Sequence, residues 1–410
     1  MPRLSLHASQ KMKNTPAGHL PVNWGFAHLE TVAEIQTGLS KSQNREGATV
    51  SMPYLRVANV QDGHFDLNDI KTIDVPAEAL SRYLVHSGDV ILTEGGDFDK
   101  LGRGAVWRGQ IAPCVHQNHL FVVRPDAQRL DPCFLAYQTQ GSLGRNYFRS
   151  CSKQSTNLAS VNSSQLKRFP VPLPSLPEQQ KIADILGTWD EALEKLDALI
   201  AAKDRRKQAF AQQLMSGGRT EKKWPRVSLS EAAEACSIRN GDKLDRTRLY
   251  AVTKAEGMVP MRENVQGATI NRCQIVERGW FAYNPMRINI GSIARWEHDD
   301  PVMVSPDYVV FKTDETRLLS DYLNHVRRGI AWSDFVGAAG NGSVRVRIWF
   351  EDLGCFKFPL PSIPEQRAIA NILDAADSEL RLLRQQRTAI DHQKRGLMQQ
   401  LLTGRVRVRT

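Results

Sequence analysis

A 46-residue stretch occurs twice in this chain at a fixed offset of 187 positions, at 172–217 and 359–404, with 21 identities and no gap. Each copy opens on nearly the same peptide, "PSLPEQQKIADIL" at 174–186 and "PSIPEQRAIANIL" at 361–373. Solenoid units recur every roughly 20–50 residues, so a period this long marks a duplicated domain instead. A chain of 410 residues then divides into two halves of one plan, each closed by the shared element.

The shared element reads as one long helix. Ser175 and Glu178, and likewise Ser362 and Glu365, have capping-box spacing, in which hydroxyl and carboxylate satisfy the orphan amides of a helix start. Pro177 and Pro364 suit the first turn, where a missing N–H costs nothing. Gly217 and Gly404 are the expected C-terminal stops. About 40 residues between these signals give a helix of about 60 Å.

Its apolar residues step alternately by four and three. The first copy shows Ile182, Leu186, Trp189, Leu193, Leu196 and Ile200, then Phe210 and Leu214, with Lys203 and Lys207 in the slots between. The second shows Ile369, Leu373, Ala376, Leu380, Leu383, Ile390, Leu397 and Leu401, interrupted by Arg387 and Lys394. A 3.5-residue period is a coiled-coil seam, and two matching seams in one chain predict an intramolecular antiparallel pair acting as a spacer. Amphipathic core helices would show a similar stripe.

The segments preceding each copy carry faintly parallel strand signals. "PYLRVANVQDG" at 53–63 matches "RLYAVTKAEG" at 248–257, and "NHLFVVRP" at 118–125 matches "PDYVVFKTD" at 306–314. Further strands are expected in "GDVILTEGGDFDKLGRGAVW" from Gly88 and "RGWFAYNPMRINIGSIARW" from Arg278, and short helices in "DPCFLAYQTQGS" and "LSDYLNHVRRGI". The expected fold is α+β: two mixed, strand-rich domains, each followed by one long helix, the helices pairing as an antiparallel coiled coil with pseudo-two-fold symmetry. The boundaries are 1–170, 171–217 (central helix), 218–358, 359–404 (distal helix) and a basic tail at 405–410. The start, "MPRLSLHASQKMKNTPAG", reads as a polar arm without the apolar core of a signal peptide.

Shared strands with divergent loops suggest that each domain reads something different. A net charge of +10 favours a polyanionic partner. The loops offer Lys41, Asn44, Arg45, Lys100, Arg103, Lys153 and Asn157 in the first domain. In the second they offer Arg239, Asn240, Lys243, Arg287, Asn289, Arg295, Asn341, Arg345 and Arg347. Arg and Lys contact phosphates or guanine, and Asn pairs bidentately with adenine, so this is a candidate set for double-stranded DNA.

With its duplicated "PLPxxPEQxxIAxIL" motif at 172–186 and 359–373, the chain resembles the specificity subunit of type I restriction–modification systems along essentially its whole length. The resemblance implies two target-recognition domains, each reading one half of a bipartite DNA sequence across a gap fixed by the paired helices. It implies docking of two modification (methyltransferase) subunits near the helix starts at Pro177, Glu178, Gln179, Pro364, Glu365 and Gln366. It further implies a restriction/translocase subunit and a cytoplasmic setting. Under it the chain itself holds no cofactor; S-adenosylmethionine belongs to the modification subunit, and ATP and Mg to the restriction subunit.

Catalytic signatures are missing from the sequence. "YNPM" at 283–286 lacks the second Pro and terminal aromatic of an adenine-methyltransferase motif and reads as a strand end. "GGDFDKLGRG" at 95–104 lacks Walker spacing. His116 and His119 have no partner ligands at zinc spacing and read as a loop or strand edge, and six dispersed cysteines fit a reducing compartment. No apolar run approaches membrane-span length. The expected role is therefore non-enzymatic. A coiled-coil scaffold with two protein-binding domains, or the recognition part of a fused nuclease–methyltransferase, are the competing readings.

Overall fold

The computed structural model describes residues 11–40, 48–96, 101–155, 158–215, 224–262, 269–339 and 347–408. The chain forms two compact units, Met1–Leu196 with Gln386–Thr410, and Asp197–Gln385.

The first unit is built on a four-stranded antiparallel sheet with spatial order Ala33–Thr37, Leu120–Pro125, Val90–Thr93, Gly104–Val106. The second has Ala233–Cys236, Val309–Thr313, Phe281–Tyr283, Ile293–Arg295. Numbered along the chain, both sheets run 1-4-2-3. The inner strands of both are covered on two faces, which is why Val90–Thr93, Leu120–Pro125, Phe281–Tyr283 and Val309–Thr313 are largely apolar runs. Successive residues alternate sides. Val90, Leu92, Phe121 and Val123 thus join the core under the long helix, while Ile91, Leu120 and Val122 pack with Trp107 and Val60. In the second unit Phe281 stacks on Phe311, with ring centroids 5.0 Å apart, on the helix side. Ala282 and Val310 face Trp296 on the other.

A two-stranded pair ties each domain's beginning to its end. Gly25–His28 pairs with Pro170–Leu173, and Arg226–Ser228 with Lys357–Pro359, immediately before the helix starts. A second sheet sits beside each main one and varies more. Thr49–Leu55 runs parallel to Val115–His116, and Leu249–Thr253 parallel to Val302–Val304, but only the second unit adds Gln274–Val276 at that place.

The two long helices, Leu176–Met215 and Ile363–Leu402, are 40 residues each. They pair antiparallel, and each unit contains the first part of one and the last part of the other. In the first unit Ile182, Ala183 and Leu186 share a core with Leu397, Leu401 and Leu402. In the second, Ile369 and Leu373 share one with Ala211, Leu214 and Met215. Ile182, Leu186, Leu193, Leu373 and Leu380 are buried, while Trp189, Leu196, Ile200, Leu383, Ile390 and Leu397 are half-buried. Gly404, at φ 67, turns the chain after the second helix; Gly217 lies outside the described residues.

Four sequence expectations need correction. Phe210 leaves the seam: it is 39% exposed and carries the Arg206 guanidinium over its ring at 5.0 Å. The run at 53–63 is strand only to Leu55, after which a short 3-10 turn begins at Val57. Part of the polar arm is ordered as strand Met12–Thr15 against Gly18–Pro21. Residues 405–408 are no free basic tail either, because Val406 and Val408 are buried in the first unit's core.

Candidate nucleic-acid interface

The glutamine of the repeated Pro-Glu-Gln peptide fastens each domain to its helix. Gln179 is buried; its Oε1 accepts from the Asp131 N–H (2.9 Å), and its Nε2 donates to Arg129 O (2.9 Å) and Pro174 O (3.0 Å). Gln366 repeats the arrangement, accepting from the Leu319 N–H (2.8 Å) and donating to Arg317 O (2.8 Å) and Pro361 O (2.9 Å). A primary amide is suited to this place, since it alone supplies an acceptor and two donors from one planar group. Both glutamines are therefore interior struts. Their side chains are unavailable to a docking partner, which corrects that reading of Gln179 and Gln366.

The adjoining glutamates diverge. Glu365 behaves as the spacing predicts, accepting from the Ser362 N–H (2.9 Å) and Oγ–H (2.7 Å). Glu178 is instead buried; it accepts from Trp24 Nε1 (3.2 Å) and takes a two-pronged ion pair from Arg407, whose Nη2 lies 2.7 Å from Oε2. Arg407 also stacks over Trp24. Glu178 thus serves the first unit's interior and is likewise removed from any docking surface. Pro177, Pro364 and Glu365 are exposed.

About three turns further along, a polar cluster locks each helix pair. In the first unit Asp190 accepts from the Tyr137 hydroxyl (2.6 Å) and pairs with Lys394, which lies over the Tyr137 ring. In the second, Asp377 pairs with Lys207 and with Arg328 (2.8 Å), while His325 Nε2 bonds Asp374 Oδ1 at 2.9 Å. The positions correspond through the repeat, since 190 and 377, and 207 and 394, differ by 187. Burial raises the Tyr137 hydroxyl pKa, and Asp190 adds to the rise. Burial lowers that of His325 against the pull of Asp374. Burial alone would raise Asp377, but Lys207 and Arg328 outweigh it and hold the carboxyl below its ordinary range. His325, Asp374 and Asp377 approach within 4.8 Å, yet Lys207 and Arg328 already neutralise Asp377, which leaves little field for a metal ion. Sequence reading missed this joint. Its signal was the identity of Asp190 with Asp377, next to the seam, and of Lys207 with Lys394, in the slots of the seam itself.

The loop candidates for DNA fall into three groups. Lys41, Asn44, Arg45, Lys100, Asn157, Asn341 and Arg345 lie outside the described residues, and only the backbone of Lys153, in a short strand, is described. Arg239, Lys243, Arg287, Asn289 and Arg347 are exposed, with Arg239 leaning on Arg272 O at 2.7 Å, and Arg103 is half-buried. Two are committed elsewhere and are corrected. Asn240 is fully buried and builds its own turn, accepting from the Leu244 N–H (2.9 Å) and donating to Leu244 O (3.0 Å). Arg295 is only 13% exposed and is paired with Asp321, with Glu297 at 3.4 Å.

Comparison with known proteins agrees with this duplicated plan. The family model described as "Type I restriction modification DNA specificity domain" matches residues 21–202. The MjaX type I restriction enzyme specificity subunit of Methanocaldococcus jannaschii is 25% identical over 99% of both chains. The EcoKI specificity subunit of Escherichia coli K12 is 28% identical over 40% of this chain and 36% of its own. Residues 21–202 thus match a type I specificity domain, and the chain as a whole is similar to type I specificity subunits. Among solved structures, the S subunit from M. genitalium aligns with 92% of this chain and 96% of its own, at TM-score 0.57 and 14% identity. A chain from a study of complex assembly and conformational transition of a type I system covers 94% and 99%, at TM-score 0.58 and 15% identity. These neighbours share the α+β plan of two strand-rich domains, each followed by a long helix, with the helices paired.

"YNPM" ends a strand: Tyr283 closes Phe281–Tyr283, and Asn284 Oδ1 accepts from the Met286 N–H at 3.0 Å to form the following turn. His116 and His119 are separated by the fold. His116 is fully buried, with Nδ1 3.1 Å from Tyr83 O and Nε2 without a partner among the described residues; burial pushes its pKa down to about 4. His119 is exposed and pairs with Glu94 at 2.8 Å. All six cysteines are free. No helix among the described residues is long and apolar enough to cross a membrane.

Proposed function

We propose that this chain acts as a type I specificity subunit and reads a bipartite duplex DNA target, one half with each strand-rich domain. In this reading the antiparallel helices fix the gap between half-sites and dock two modification subunits. S-adenosylmethionine is held by those subunits, and ATP and Mg by a restriction subunit. The reading is carried by one observation: two sheets of the same strand order are each fastened to the helix pair through the same three-bond glutamine strut. A domain held so stiffly to a long helix keeps its register on a rigid duplex, where successive major grooves on one face lie about 34–36 Å apart. The divergent second sheets and loops supply different base contacts on a common frame.

The test begins with mapping methylated adenines in cells with and without the chain, which gives the target. Binding of the complex to that target is then measured with one to three base pairs added to the gap. Specific binding is expected to vanish on insertion and to weaken steeply with salt as counterions are released. Unchanged affinity for the lengthened targets refutes the spacer role. Absence of any specific DNA binding by the assembled complex favours a protein scaffold instead.

A further inference from the structure

In the second unit two segments meet where the chain exposes apolar side chains that a soluble surface ordinarily hides. One is the turn Asn284–Gly291; the other is 347–349. They are joined by a hydrogen bond from the Ile348 N–H to Pro285 O at 3.0 Å. Ile288 and Ile348 are both buried in the core beneath, 1% and 2% exposed, and so anchor the two segments from below. Their neighbours are forced outward: Met286 is 42% exposed, Ile290 54% and Trp349 43%, with Arg287, Asn289 and Arg347 exposed between them.

The turn's backbone is fixed before any partner arrives. Asn284 O accepts from the Arg287 N–H (3.0 Å), Arg287 O from the Ser292 N–H (3.0 Å), and Gly291 takes φ +96, a left-handed conformation costly for other residues. The Trp349 N–H points to Asp352 Oδ2 at 3.3 Å and starts the next short helix. Arg248, Arg278, Arg295 and Arg328 are each paired with a carboxylate, whereas Arg287 and Arg347, like Arg239 and Arg272, have no carboxylate partner among the described residues. A rigid apolar edge flanked by two unneutralised guanidinium groups matches a polyanion with stackable apolar interiors. Proteins that kink duplex DNA use this combination, inserting an apolar side chain at a base step while basic groups hold the adjoining phosphates.

We infer that Trp349 and Met286 form a wedge by which the second domain partly unstacks a base step of its half-site, with Arg287 and Arg347 on the flanking phosphates. The inference rests on the DNA-reading role proposed above and adds how one half-site is engaged. A wedge reads the deformability of the step as well as its edges, so a flexible pyrimidine–purine step is favoured there.

The experiment uses the full chain assembled with its modification subunits and a duplex target carrying 2-aminopurine, in turn, at each step of the half-site. That half-site is identified as the one whose sequence changes when residues 218–358 are exchanged. Wild type is expected to raise 2-aminopurine emission at one step. W349A/M286A is expected to lose that rise and at least tenfold in specific affinity, while affinity for unrelated duplex and its salt slope stay the same. W349F retains the signal. R287A/R347A is expected to lower the salt slope by about two, one for each phosphate contact. Should W349A/M286A keep wild-type affinity, or wild type raise no emission at any step while still discriminating its target, the wedge is wrong and the DNA-reading role stands. If wild type fails to discriminate target from unrelated duplex, the underlying role falls and the wedge with it.

Discussion

Replacing Gln366 by leucine tests the strut at a single side chain. The glutamine is fully buried and makes three hydrogen bonds of 2.8, 2.8 and 2.9 Å to Leu319 N, Arg317 O and Pro361 O. Leucine has similar bulk and excludes water, so one N–H and two carbonyls lose their partner in the interior. At about 1 kcal/mol net per bond, with a further penalty for groups left buried and unpaired, the loss comes to about 3–5 kcal/mol. Urea unfolding followed by tryptophan emission reads the loss in the transition of the second unit, and hydrogen exchange at the Leu319 amide reads it locally. Q366E carries a sharper signature. An ionised carboxylate still accepts from the Leu319 N–H but sets negative charge against two carbonyl oxygens, so its folded-state pKa is raised. Between the unfolded and folded pKa values the native state then holds the extra proton, and the variant loses stability as pH rises. Q179L is the matching change in the first unit, at Asp131, and the two losses add because the struts share no partner. A loss under 0.5 kcal/mol in Q366L, with the Leu319 amide still protected, refutes the argument.

Two other changes follow from buried polar groups. Burial holds His116 neutral with a pKa of about 4, below the ordinary histidine value of about 6.5, so its stabilising contribution is complete above pH 6.5 and declines as pH falls toward 4. Between pH 7.5 and 5 the unfolded chain takes up the proton first and the first unit loses about 2 kcal/mol. H116N keeps a donor toward Tyr83 O and should flatten that part of the profile; an unchanged pH dependence contradicts the assignment. The Tyr283 hydroxyl is buried without a hydrogen-bond partner among the described residues, and burial together with Glu351 and Asp352 raises its pKa. Y283F should therefore leave the second unit as stable or raise its stability by about 1 kcal/mol; a loss of that size by thermal unfolding would mean the hydroxyl is bonded.

What could be read before folding, and what could not, separates along physical lines. The seam at Ile182, Leu186, Leu193, Leu373 and Leu380 was legible because helical burial follows a fixed short period. The β-strands around Phe121 and Phe311 were legible because runs buried on both faces are continuously apolar. Glu365 closed its capping box as spacing foretold, since a cap is satisfied within four residues. Glu178, in the equivalent place, did not, because Trp24 and Arg407, 154 and 229 positions away, compete for the same carboxylate. Arg295 and Asn240 failed as surface candidates for the same reason: a polar side chain's partner is set in space and leaves no period in the sequence.

The sequence alone determined the duplication, the two long helices and the strand-rich character of what precedes them. These depend on local propensity and short-range periodicity, which each residue carries with it. Tertiary structure alone decided that the repeated glutamines are struts inside the protein. It also decided that Val406 and Val408 complete the first unit's core, and that Pro285 and Ile348, 63 positions apart, are hydrogen-bonded beside the exposed Met286 and Trp349. Those outcomes depend on which distant groups meet, and burial fixes the meeting because an unpaired polar group inside costs more than most single contacts supply.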